Sequence, residues 1–168
     1  HVTGFIDDRR PLGALPKTLV LLACVLVLVV WFDIRMLEAL DTWLGTESIL
    51  SIVVTVVWIM VLTNAMNYLD NMDGVTAGIT VVSGGLFMVA ALMGSQWFVA
   101  ATLALLVGGC LGFLWWNKPK AKIFMGDTGS LSIGAMLGSI ALLTNSVFSL
   151  SIFSGIFIIE SLSVMIQV

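Results

Sequence analysis

With 168 residues, 60% of them hydrophobic and only 10% charged, and a mean hydropathy of +1.12, the chain has the composition of a polytopic membrane protein and not of a soluble domain. Its formal net charge of -3 says little by itself, because membrane orientation follows where Lys and Arg lie and not their sum. His1 is the only histidine, which excludes a multi-histidine metal site within this chain. Cys24 and Cys110 each sit inside an apolar run and read as buried packing residues, not as a disulfide or a metal pair.

Residues 1 to 17 are polar, with Asp7-Asp8-Arg9-Arg10-Pro11 and then Lys17 just before the first apolar run. No basic n-region followed by an apolar h-region is visible, so no signal peptide is read there, and the missing initial Met suggests an excerpt from a longer protein. The expected fold is all-α, a single membrane domain built as a polytopic helix bundle. Its spans are read at 18 to 32, 49 to 66, 75 to 93, 98 to 116, 131 to 147 and 149 to 168, each near the ~20 residues a helix needs to cross. Between the first two lies an acidic loop, 33 to 48, in which Met36, Leu37, Leu40 and Leu44 have helical spacing; an amphipathic surface helix with solvated acids is expected. Glycines four apart (Gly74/Gly78, Gly108/Gly112, Gly134/Gly138) suggest close helix packing, and Trp31, Trp43, Trp97, Trp115 and Trp116 near span ends suggest an interfacial belt.

Six spans put 1 to 17, 67 to 74 and 117 to 130 on one side of the membrane. Arg9, Arg10, Lys17, Lys118, Lys120 and Lys122 are there, and only Arg35 is on the other side, so the first side is expected to be cytoplasmic. Asp7, Asp8, Asp70, Asp73 and Asp127 fall on that same face. On a helical continuation Asn67, Asp70 and Asp73 recur every three residues and share a face. Clustered carboxylates repel unless a cation holds them, and magnesium fits, taking one or two carboxylates while phosphates and water fill its other positions. A calcium EF-hand does not fit, since Leu69 falls at its first ligand position and Thr80 at its final one. Gly126-Asp127-Thr128-Gly129-Ser130 opens a helix, where backbone N–H groups can meet an anion, and Lys118, Lys120 and Lys122 precede it. The set points to phosphoryl transfer on a lipid. Glu160, alone in an apolar run, reads as a packing or groove-lining carboxylate. A cation-coupled transporter would place acids in mid-span and show internal repeats; only Glu160 meets the first condition, and no repeat is visible.

Asn64-Ala65-Met66-Asn67-Tyr68-Leu69-Asp70-Asn71-Met72-Asp73-Gly74 and Phe124-Met125-Gly126-Asp127-Thr128-Gly129-Ser130 resemble two signature motifs of the polyprenyl-phosphate N-acetylhexosamine-1-phosphate transferases, and Gly4-Phe5-Ile6-Asp7-Asp8 resembles their acidic pair. The resemblance covers essentially the whole chain as the central part of a longer, roughly ten-span family pattern. Phe113 to Asn117 and Ile159 to Val168 resemble the branch that transfers phospho-N-acetylmuramoyl-pentapeptide in peptidoglycan synthesis. Tyr68-Leu69 and Asn71-Met72 read more like the branch that transfers N-acetylglucosamine 1-phosphate.

The resemblance implies a bacterial inner-membrane enzyme with its site on the cytoplasmic face, using Mg2+ or Mn2+. It implies Asp127 as metal ligand with Asp70 and Asp73, and Asp7 or Asp8 contacting or deprotonating the lipid phosphate. Asn67, Asp70, Asp73, Asn117, Lys17 and Phe124 would bind substrate, Phe124 by stacking near uracil. Implied partners are a UDP-amino sugar, a polyprenyl phosphate, the membrane and a second copy in a homodimer; nucleic acid is not among them.

Overall fold

The computed structural model describes residues 2–9, 13–36 and 38–143, and all the regular structure in them is helical. In chain order the helices are α1 (Val2–Arg9), α2 (Ala14–Trp31), α3 (Glu38–Leu44), α4 (Ile49–Leu69), α5 (Val75–Met93), α6 (Trp97–Asn117) and α7 (Gly126–Leu143). Three of them, α4, α5 and α6, are long and apolar enough to cross a membrane, and α2 is a shorter apolar helix over Leu15–Trp31. The chain therefore folds as a helical membrane bundle. The expected span 149 to 168, the end of the span 131 to 147, and Glu160 lie outside the described residues.

Helix boundaries differ from expectation where polar residues are drawn into a first turn. α2 begins at Ala14, ahead of residue 18, with Pro16 in its first turn, where the missing N–H costs nothing. α7 begins at Gly126, so that Asp127 lies in its first turn. The amphipathic helix expected in the acidic loop is α3, but Asp41 is not merely solvated. Its carboxylate accepts hydrogen bonds from the Thr46 hydroxyl and from the Leu50 and Ser51 N–H groups at the start of α4, which hold it below the usual carboxylate range.

α5 packs along α6 and α4 along α7, with α2 against α4 and α1 on the start of α7. Apolar side chains fill the bundle at successive levels. Leu62, Phe87, Leu103 and Ile140 form one cluster; Met66, Leu69, Ala77, Cys110, Ile133 and Leu137 form a second. Val25, Val29, Met36, Ile59 and Leu142 form a third beneath α2. Three of the buried hydroxyls are satisfied within their own helix: Thr55, Thr63 and Thr80 each donate to the carbonyl four residues back.

Of the glycine pairs, Gly134/Gly138 is the packing motif. A Cβ at Gly134 would stand 2.7 Å from the Thr63 Cα, so α4 and α7 touch backbone to backbone there. Gly78, Gly108 and Gly112 meet nothing within 4 Å among the described residues. Cys110 is buried as expected, but Cys24 is exposed, because it points off α2 toward a side that no described residue covers. Trp31, Trp43, Trp97, Trp115 and Trp116 are all exposed near helix ends, as an interfacial belt requires.

Candidate active site

The starts of α2, α5 and α7 and the ends of α4 and α6 lie at one end of the bundle, and the three polar segments meet there. Lys17, in the first turns of α2, places its ammonium 2.8 Å from Asp7 Oδ2 and 2.6 Å from Asp127 Oδ2. The other oxygen of Asp127 accepts from Asn67 Nδ2 at 2.9 Å, and the same amide nitrogen reaches Ser130 Oγ at 2.9 Å. Ser130 is fully buried and donates to the Gly126 carbonyl. One helix end, one lysine and one amide thus fix the direction of the Asp127 carboxylate.

Asp8 behaves differently from its neighbour Asp7. Its Oδ1 accepts from the Asp127 N–H at 2.9 Å, and its Oδ2 accepts from the Thr128 N–H at 3.2 Å and the Thr128 hydroxyl at 2.6 Å. Burial opposes its ionisation, but these hydrogen bonds outweigh burial and the nearby Asp7 charge, holding the carboxyl below its usual range.

The run Asn67 to Gly74 does not stay helical. α4 ends at Leu69, Asp70 is its C-cap, and the chain turns through Gly74, whose φ of +76° suits a residue without a Cβ. Asn67, Asp70 and Asp73 therefore do not share one helical face. Asp70 is half-buried and its pKa is pushed up to about 6, chiefly by burial, with the charges of Asp127 and Asp8 adding to the effect. The Gly126 N–H and the Thr76 hydroxyl oppose the rise; Thr76 Oγ1 is buried without a well-formed hydrogen bond, so it offers polarity only.

Asp73 turns the other way, accepting from the Ala121 N–H at 3.1 Å. Asn117 is 5% exposed and has both ends of its amide in use: Oδ1 accepts from Gly74 N–H and Nδ2 donates to the Ile123 carbonyl, each at 2.9 Å. It clips the α4–α5 turn to the loop between α6 and α7. That loop carries Phe124, whose ring is 75% exposed and open for stacking.

Among the described residues, no three Asp, Glu, His or Cys side chains form a group that could hold a metal ion unaided. Magnesium does not need such a group, since it binds through one or two carboxylates plus substrate phosphates. Asp7 and Asp127 fit that role: they face one position already held by a cation, the Lys17 ammonium, and their donors are hard oxygens.

Two spaces open from the Lys17–Asp127 pair. A cavity of about 220 Å³ is lined on its far side by Asn64, Asn67 and Tyr68. A groove of about 300 Å³ runs past Val20, Leu21, Cys24, Leu131, Ala135 and Met136. Sequence reasoning did not single out Thr128, Ser130 or Tyr68 as site residues. Both hydroxyls lie within the Gly126–Ser130 motif, and the four-residue spacing of Ser130 from Gly126 is the sequence signal for its back-bond.

Fold and site together describe a helical membrane protein with a charged, carboxylate-rich site at one end of the bundle. Residues 1–145 match the family model described as Glycosyl transferase family 4, and the chain belongs to that family. It is similar to the phospho-N-acetylmuramoyl-pentapeptide-transferase of Prochlorococcus marinus (strain MIT 9301), 45% identical over 183 aligned residues that cover 99% of this chain and 51% of the relative. Proteins of the same name from Chlamydia trachomatis serovar L2 and Acetivibrio thermocellus are 46% and 47% identical, over 71% and 63% of this chain and 37% and 32% of those relatives. The chain spans about half the length of the Prochlorococcus relative it matches end to end.

Proposed function

We propose that the protein transfers phospho-N-acetylmuramoyl-pentapeptide from a UDP-linked donor to a polyprenyl phosphate, releasing UMP and leaving a lipid-linked diphosphate sugar. The observation that carries this reading is the Asp7–Lys17–Asp127 cluster, whose Lys17 and Asp127 line both a cavity of mixed polar and apolar walls and a mainly apolar groove. A phosphate at the cluster could have a nucleotide sugar on one side and a prenyl chain on the other. The names of the relatives supply the sugar.

In the reaction a lipid phosphate oxygen forms a bond to the β-phosphorus of the donor, and the bond from that phosphorus to the bridging oxygen breaks. The electron pair leaves on UMP. One phosphoanhydride replaces another, so the exchange is near balance and reversible. Asp127 and Asp7, with Asp70 as a further carboxylate at the same end of the bundle, would hold Mg2+ or Mn2+, which would supply charge neutralisation for the pyrophosphate. Lys17 would neutralise phosphate oxygens, and Asp7 would accept the proton of any protonated lipid phosphate. Asn67 keeps Asp127 aimed, and Phe124 offers a face for the uracil. Asp73 and Asn117 shape the loop that carries that ring. The basic residues gathered on this side support a cytoplasmic site in a bacterial plasma membrane.

Tyr68 lines the cavity beside Asn64 and Asn67, and this keeps UDP-N-acetylglucosamine, giving N-acetylglucosamine 1-phosphate transfer, as a second donor to test. The experiment is UMP release by the full-length protein in membranes from a panel of UDP-sugars, with polyprenyl phosphate and magnesium, beside Asp127→Asn. Release from the muramoyl-pentapeptide donor, reduced about 10²–10³-fold by Asp127→Asn, is expected. Silence with every donor would overturn the transfer reading, and equal release by the variant would overturn the role of Asp127.

A further inference from the structure

Adjacent residues on a helix point about 100° apart, and on α1 this divides the acidic pair. Asp7 turns to Lys17, while Asp8 turns to the start of α7 and gives both its oxygens to that helix end. The contact is built on two glycines. A Cβ at Gly4 would stand 2.6 Å from the Thr128 Cα, and one at Gly126 would stand 2.9 Å from Asp8 Oδ1. Gly126 also has φ +66°, a conformation that side chains rarely adopt. The Gly-Phe-Ile-Asp-Asp and Gly-Asp-Thr-Gly segments are therefore two halves of one joint, not separate contributors to the site.

We propose that Asp8 is a positioning residue: it caps α7 from 119 residues away and so sets the direction in which Asp127 presents its carboxylate, taking no part itself as base or metal ligand. The proposal rests on the transferase reading for its kinetic consequence, though not for the capping contact. A helix N-cap needs an acceptor oxygen, and Asn keeps one of the two that Asp8 uses: it can still accept from the Asp127 N–H while its NH2 meets the Thr128 hydroxyl, at the loss of the bond from the Thr128 N–H. A base or a metal ligand, by contrast, needs the carboxylate itself. The two roles therefore separate on the isosteric variant.

The test compares Asp8→Asn, Asp8→Ala and Thr128→Val in the full-length protein, by UMP release across pH and magnesium concentration and by metal-free melting in detergent. Asp8→Asn is expected to keep turnover within about tenfold of the parent, with the pH profile and magnesium midpoint unmoved. Asp8→Ala should lose about 10²-fold, the scale of a misplaced catalytic group. In melting, Asp8→Ala and Thr128→Val should each lower the midpoint, the double variant should fall short of their sum, and Asp8→Asn, which keeps one acceptor oxygen, should restore part of the loss. Asp8→Asn as inactive as Asp8→Ala, with a normal melting point or a lost limb of the pH profile, would overturn the proposal. If the parent itself releases no UMP, the transfer reading fails, and the melting series still decides whether Asp8 caps α7.

Discussion

Lys17 and Asp127 meet at 2.6 Å although 110 positions separate them, and the same ammonium reaches Asp7 at 2.8 Å. A single cation at the start of α2 thus holds together two carboxylates from two other helices. All three side chains are largely shielded, Asp7 most of all at 12% exposed, so the pairing is worth more than an ordinary surface ion pair.

Replacing the ammonium by an apolar group of similar length tests that relationship. Lys17→Met leaves Asp7 and Asp127 facing each other with no countercharge and should cost about 1–3 kcal/mol, between the values for exposed and buried pairs. Magnesium should then raise the melting temperature of Lys17→Met more than that of the parent, because the metal would take the place of the missing charge. Equal responses to magnesium and to chelator would mean that the Asp7–Asp127 position is not a cation site.

Asp70 gives a pH signature. Its pKa rises from 3.8 to about 6 on folding, so between those values the folded protein binds more protons than the unfolded chain. Stability therefore falls as pH climbs through that window and stays lower above it. Asp70→Asn removes the penalty. In metal-free protein it should melt higher than the parent above pH 6, by an amount equivalent to about 1–2 kcal/mol after allowance for solvent screening of a half-buried group, and match the parent below pH 4. A gain that persists at low pH would point to some cause other than ionisation.

The part of this site that was legible in the sequence was its location. Carboxylates are so scarce in a chain this apolar that Asp70 and Asp127 mark the helix ends, and helix lengths near ~20 residues bring those ends to one side. The register within the site was not legible. Asn67, Asp70 and Asp73 look like one helical face only if α4 continues, and it stops at Leu69, after which the chain turns and enters α5 through the left-handed Gly74. The division between Asp7 and Asp8 depends on how α1 sits on α7, a tertiary contact that no local spacing encodes. The burial of Asn117 likewise follows from a loop folding back over it. Cys24 shows the same limit, since an apolar run says a helix is in the membrane but not which of its faces is covered.

Asn117 should be a stability residue before it is a binding one. Asn117→Ala removes the partner of the Gly74 N–H and of the Ile123 carbonyl and should cost about 0.5–1.5 kcal/mol for each hydrogen bond lost, since both groups are only partly buried. Its effect on UMP release should come as a raised KM for the donor with a smaller change in kcat, because the loop it releases carries Phe124. Phe124→Leu should raise the same KM without lowering the melting temperature, as the ring is already exposed. A melting point untouched by Asn117→Ala would show that the clip is dispensable.

The glycines test the fold beneath the site. Gly134→Ala places a methyl 2.7 Å from the Thr63 Cα and 3.1 Å from the Leu62 carbonyl, where backbone and not a movable side chain must yield. α4 and α7 would have to part, at a cost of about 1–3 kcal/mol. They are also the helices that carry Asn67 and Asp127, so the 2.9 Å hydrogen bond between those residues should stretch and UMP release should fall along with stability. Gly108→Ala is the control, since nothing lies within 4 Å of that position among the described residues, and Ala is favoured over Gly in a helix by ~1 kcal/mol. Melting and turnover of the two variants side by side separate a packing glycine from a spare one; a Gly134→Ala protein that melts and turns over like the parent would mean that the α4–α7 contact is looser than its geometry implies.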